Sequence, residues 1–114
     1  MVHVGLDGII QLQRTGEIIE CFIRDINEDY TEAMVITSDP RVRTQEEAEL
    51  RIFMPTERSP IKCAGRISWH PEDDEQLRDS VNHLAHVFIT HISRIDGRRL
   101  DLVIAQKRVL TQGI

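Results

Sequence analysis

Residues 48 to 70 constrain the fold more tightly than any other part of this chain. In AELRIFMP (48 to 55), Ala48, Leu50, Ile52 and Met54 fall on one phase, while Glu49 and Arg51 fall on the other. A period of two is the pattern of a half-buried β-strand. TERSP then turns the chain. In IKCAGRISWH (61 to 70), Ile61, Cys63, Gly65, Ile67 and Trp69 alternate with Lys62, Ala64, Arg66, Ser68 and His70. This predicts two adjacent antiparallel strands that share an inward face. Gly65 marks a bend or bulge, and Trp69 belongs to the core.

Other segments repeat the signal. EIIECFIRD (17 to 25) sets Ile19, Cys21 and Ile23 against Glu20, Phe22 and Arg24, and AMVIT (33 to 37) reads as a further strand. SDPRVRTQEE is a polar loop opened around a proline. HLAHVFITHI (83 to 92) is apolar on both phases, which predicts a strand covered on both sides. PEDDEQLRDSVN (71 to 82) reads as a long, mobile, acidic connection. Residues 1 to 16 hold three glycines and the apolar pair Ile9-Ile10, and fit either an extended arm or a first strand. A helix is expected from about 94 to 110. Ser93 and Asp96 have capping-box spacing, and Leu100, Val103, Ile104 and Leu110, with Leu102 and Val109, form its apolar face. Short antiparallel strands followed by one helix predict a small barrel or sandwich with the helix over an open end or side.

A chain of 114 residues suits one domain. Its formal net charge is -5, from 19 acidic and 14 basic side chains. That balance argues against a nucleic-acid polymer as partner, which needs a surplus of Lys and Arg. Arg41, Arg43, Arg94, Arg98, Arg99, Lys107 and Arg108 read as solvated surface. Cys21 and Cys63 form no CxxC pair and sit in apolar strand segments, so both are expected to be free, buried thiols. With neither a signal peptide nor a membrane span legible, the expected setting is the reducing cytoplasm.

Catalysis finds no support in the motifs. G-x-S-x-G, Gly-rich phosphate loops and H-E-x-x-H are all missing from the sequence. His83, His86 and His91 are spaced by three and five, which places successive members on opposite strand faces and argues against a metal site. The acidic run Glu72 to Glu75 lacks the ligand spacing and glycine of a calcium loop. A non-enzymatic protein without a bound cofactor is the expectation.

Taken in order, GEIIECFIRDIN, AELRIFMP, IKCAGRISWH, HLAHVFIT and the closing helix resemble the PilZ domain family over roughly residues 16 to 110. The resemblance implies a six-stranded antiparallel β-barrel with a C-terminal α-helix over residues 16 to 114, preceded by an N-terminal arm or extra strand at 1 to 15. It also implies a regulatory binding module of bacterial signalling. Many members bind cyclic di-GMP through an RxxxR arm and a D/N-x-S-x-x-G strand-turn motif. The arginines supply bidentate donors, and the glycine lets the backbone come close.

On that template Asp25 matches the first motif position, Asn27 replaces the serine, and Tyr30 replaces the glycine, where positive φ is costly for a bulky residue. Arg14 is the single arginine before Arg24, with Ile10 and Ile18 at the two places where its partner would stand. The candidate ligand-binding residues are therefore Arg14, Asp25 and Asn27, in an incomplete site. The resemblance then implies a PilZ-like module with a degenerate nucleotide site that acts by binding another bacterial protein. The Arg41-Val42-Arg43 loop and the acidic 72 to 80 loop are its flexible contact elements. The alternative is a cyclic di-GMP receptor with a divergent site.

Overall fold

The computed structural model describes residues 1–78 and 81–112, with the backbone alone at 110–112. Six strands form one closed antiparallel barrel: β1 (Val2–Leu12), β2 (Ile18–Ile26), β3 (Glu32–Thr37), β4 (Glu47–Ile52), β5 (Ile61–Ser68) and β6 (His83–Ile92). The order around the barrel is β1-β2-β3-β6-β5-β4, and β4 closes back on β1. Closure removes the unpaired edges that an open sheet would expose. A short helix α1 (Pro71–Gln76) precedes β6, and α2 (Arg94–Gln112) follows it. No helix among the described residues is long and apolar enough to cross a membrane.

The expected alternation sets the core. Leu50, Ile52, Ile61 and Ile67 are fully buried, as are Ile19 and Ile23 on β2. Each such side chain contributes about 1.5–3 kcal/mol of burial. Register pairs Leu50 with Cys63 and Ala48 with Gly65, so β4 and β5 share one inward face. Trp69, just beyond β5, is only half-buried and packs against the core. Its indole N–H donates to Asp74 at 3.0 Å, and the Arg43 guanidinium stands 5.6 Å from its ring centroid.

Residues 2 to 12 are a full barrel strand, the first-strand reading left open above, so the sixth strand of the barrel comes from before residue 16 and not from the 16 to 114 span that the resemblance implied. Glycine has a steric role here. A Cβ at Gly8 would lie 2.3 Å from Ile23 Cδ1 and 2.5 Å from the Arg51 carbonyl oxygen, so β1 approaches both neighbours too closely for a side chain. At Gly65 a Cβ would lie 2.6 Å from the Phe88 carbonyl oxygen, and the β5–β6 register slips between Ala64 and Gly65. The bulge expected at Gly65 is present.

Three expectations need correction. β6 is covered on both sides only over its first half: Leu84 is buried, but Phe88 on the same outer face is 45% exposed. α1 and the Pro40–Val42 turn both contact the strand, and α1 bonds it at His83, Leu84 and His86, within that first half. The acidic connection is not wholly loop, because Pro71 occupies the first helical turn and Glu72, Asp73 and Asp74 complement the positive end of the helix dipole. Asp79 and Ser80 lie outside the described residues. Finally, the 41–43 loop is anchored. Pro40–Val42 is a 3-10 turn, Val42 is fully buried, and Arg41 pairs with Glu17 at 3.0 Å and Asp39 at 2.6 Å.

At the barrel end where β2 finishes, α2 packs on β1 and β5 with Leu100, Val103 and Ile104 buried. Leu102 and Val109 do not join that face, being 65% and 67% exposed, and the Leu110 side chain lies outside the described residues. Ser93 Oγ accepts the Asp96 amide at 3.1 Å, forming one half of the expected capping box. The reciprocal half is not made. Asp96 instead accepts from Arg99 at 2.9 Å and from the Lys62 amide at 3.3 Å, which ties the helix start to β5.

Candidate functional site

The three residues singled out by the motif do not converge. β1 and β2 form a hairpin in which His3 faces Asp25 near its open end and Gln11 faces Ile18 near its turn. Arg14 lies in that turn, 83% exposed, with its Nε 3.5 Å from Glu46 Oε1. From position 3 to position 12 the strand advances about 30 Å, at roughly 3.3 Å per residue. Arg14 and Asp25 therefore occupy opposite ends of the barrel. Neither alternative position repairs this: Ile10 is fully buried in the core, and Ile18 is 47% exposed at the Arg14 end.

Asp25 and Asn27 do lie together. Register pairs Ile23 with Val35 and Asp25 with Met34, leaving Arg24 as the extra residue of a β-bulge. Ile23 and Ile26 stay inside, while Arg24 and Asp25 are both partly exposed. The Arg24 Nε donates to Asp25 Oδ2 at 2.7 Å, and His3 Nδ1 lies 3.2 Å from Oδ1. Both carboxylate oxygens thus have partners within the chain. These partners were not legible in the motif, since His3 is 22 positions away and the bulge depends on β3.

Asn27 serves its own turn. Its Oδ1 accepts the amides of Thr31 at 2.9 Å and Glu32 at 2.8 Å, and its Nδ2 donates to Thr31 Oγ1 at 2.7 Å. This is the local side-chain-to-backbone bonding for which Asn is favoured in turns. Tyr30 does adopt a positive φ, 45°, despite its bulk. Its ring packs against the core, and its hydroxyl lies beside Gly97 of α2. Arg108 of α2 also pairs with Glu28 of the turn at 2.7 Å. The turn that would present a ligand instead holds the helix.

A second polar cluster joins α1 to β6. Asp74 Oδ2 accepts from Trp69 Nε1 at 3.0 Å and lies 2.9 Å from His83 Nδ1, while Oδ1 accepts the Leu84 amide at 3.0 Å. Burial opposes ionisation of Asp74, but the hydrogen bonds from His83, the Leu84 amide and Trp69 outweigh it and hold the carboxyl below its usual range. His86 stands between Glu32, 2.5 Å from Nδ1, and Asp73, 3.2 Å from Nε2. His91 is exposed and apart from these groups. Among the described residues, no group of three or more His, Cys, Asp or Glu is placed to hold a metal ion.

A groove of about 610 Å³ lies elsewhere, lined among others by Gln11, Glu49, Lys62, His91 and Asp96. It includes neither Asp25 nor Asn27. A smaller depression borders Arg14, Glu46 and Glu47. No family model matches the chain, no curated protein matches it, and no solved structure matches it.

Proposed function

We propose that this barrel is a PilZ-like regulatory module whose nucleotide site is degenerate and which acts in bacterial signalling by contact with another protein. One observation carries the reading: Arg14 and Asp25 stand at opposite ends of the β1–β2 hairpin, so the arginine clamp and the strand-turn motif cannot grip one ligand. The internal pairing of Asp25 and the closed hydrogen-bonding of Asn27 support it further. Losing an arginine clamp removes about 1.5–3 kcal/mol per charged hydrogen bond.

The second reading, a cyclic di-GMP receptor with a divergent site, is favoured by Tyr30, which keeps the left-handed backbone that the motif reserves for glycine. Calorimetric titration of the full chain with cyclic di-GMP separates the two. The expected dissociation constant is weaker than about 10 μM, less than about 7 kcal/mol of binding. Sub-micromolar binding would establish the receptor reading and overturn the first.

A further inference from the structure

The outer face of α2 is unlike the rest of the helix. Ile95, Leu102 and Val109 are 75%, 65% and 67% exposed, and they recur every seven residues. Leu100, Val103 and Ile104 already satisfy the barrel on the opposite face. A seven-residue apolar repeat drifts only about 20° per heptad on a straight helix, so the three side chains form one narrow stripe along it.

The charge around this stripe points the same way. The whole chain is acidic, yet α2 carries Arg94, Arg98, Arg99, Lys107 and Arg108 against Asp96 and Asp101. Arg99 is engaged by Glu57 and Asp96, and Arg108 by Glu28. Arg94 and Arg98 are exposed and make no ion pair among the described residues. Arg98 stands between Ile95 and Leu102 on the helix surface, three residues after one and four before the other, so it borders the stripe directly. A partner must therefore offer apolar side chains at the same repeat and carboxylates beside them.

We infer that the Ile95–Leu102–Val109 face of α2 is the docking surface for an amphipathic helix of another protein with an acidic flank. The inference rests on the protein-binding reading above and names the class of partner. A lipid surface fits less well, because it needs a broad apolar face with charge held on the far side, whereas this stripe is one residue wide. A second copy of the chain would bring the same surplus of arginine to the contact. Three side chains also fall well short of the roughly 20–30 residues per side of a standard interface, so the contact is a weak one.

The test uses the full chain and two synthetic helical peptides with leucine at heptad positions a and d, one carrying Glu at e and g, the other Lys. Fluorescence anisotropy should show the Glu peptide binding at least tenfold tighter than the Lys peptide. Leu102→Glu should weaken that binding at least tenfold, and Arg98→Glu should abolish the preference for the Glu peptide. Both side chains are exposed, and circular dichroism checks that the variants fold. Equal affinity for the two peptides, or indifference to Leu102→Glu, would overturn the inference. So would a dimer in sedimentation equilibrium, or binding to phosphatidylserine vesicles, that Leu102→Glu abolishes while neither peptide binds. If the peptides and cyclic di-GMP are both silent, the α2 surface is overturned and the protein-binding reading stands. Sub-micromolar nucleotide binding would remove that reading itself.

Discussion

The Tyr30 hydroxyl meets α2 at Gly97, 3.9 Å from where a Cβ on that glycine would stand. Tyr30 holds this position from a backbone with φ 45°, a conformation that disfavours side chains. A glycine there would relieve about 1–2 kcal/mol of strain. The ring remains because it packs the turn against the core and the helix.

Tyr30→Gly should therefore destabilise the domain, by about 1–3 kcal/mol, since a half-buried aromatic side chain is worth more than the backbone strain it imposes. The midpoint of urea denaturation reads this directly. A rise in the midpoint would mean that the ring contributes less than the positive φ costs.

The cap and the buried face of α2 should be separable. Ser93→Ala removes the acceptor for the Asp96 amide and should lower stability by about 0.5–2 kcal/mol. Leu100→Ala opens space beneath the helix and should lower it by about 2–5 kcal/mol. Equal losses at the two positions would show that the helix docks only loosely on the barrel.

Asp74 gives the α1–β6 cluster an acid limit. Its folded value is depressed, so its contribution is fully present above the unfolded value of about 3.9 and is lost as pH falls through the lower, folded value. Trp69 is the sole tryptophan and donates to Asp74, so its fluorescence reports the cluster. The part of the spectral change that belongs to Asp74 should appear only below about pH 4. Asp74→Asn should abolish that acid transition; a transition that persists unchanged would assign it to another carboxylate.

Burial pushes the thiols of Cys21 and Cys63 up to about 12, with help from Asp7 at the first and from Asp96 and Glu49 at the second. Neither forms a disulfide. Because the thiolate is the reactive species, iodoacetamide at pH 8 should leave both cysteines unmodified in the folded protein and alkylate both in denaturant. Mass spectrometry counts the adducts. Rapid labelling of the native protein would mean that the barrel opens at these strands.

The alternation in β4 and β5 was legible because burial on a strand follows a period of two, a property contained within a few neighbouring residues. The Ser93 cap was legible for the same reason, its partner being three positions away. α1 was also written locally, in Pro71 and the three carboxylates after it, but six residues are too few to hold a helix alone. Its docking through Asp74 on β6 decides the matter.

The candidate site is the opposite case. Asp25 and Asn27 could be placed on a strand end and its turn, and the barrel class followed from the strand pattern. That Arg14 belongs to the far end of the barrel depends on the β1–β2 register, which pairs residues up to 24 positions apart. The bulge at Arg24 depends on β3, and the engagement of Tyr30 depends on a helix more than sixty residues later. Local pattern therefore determined the elements and their inward faces. Only the tertiary structure decided which functional groups meet, because those meetings are set by register and closure between distant segments.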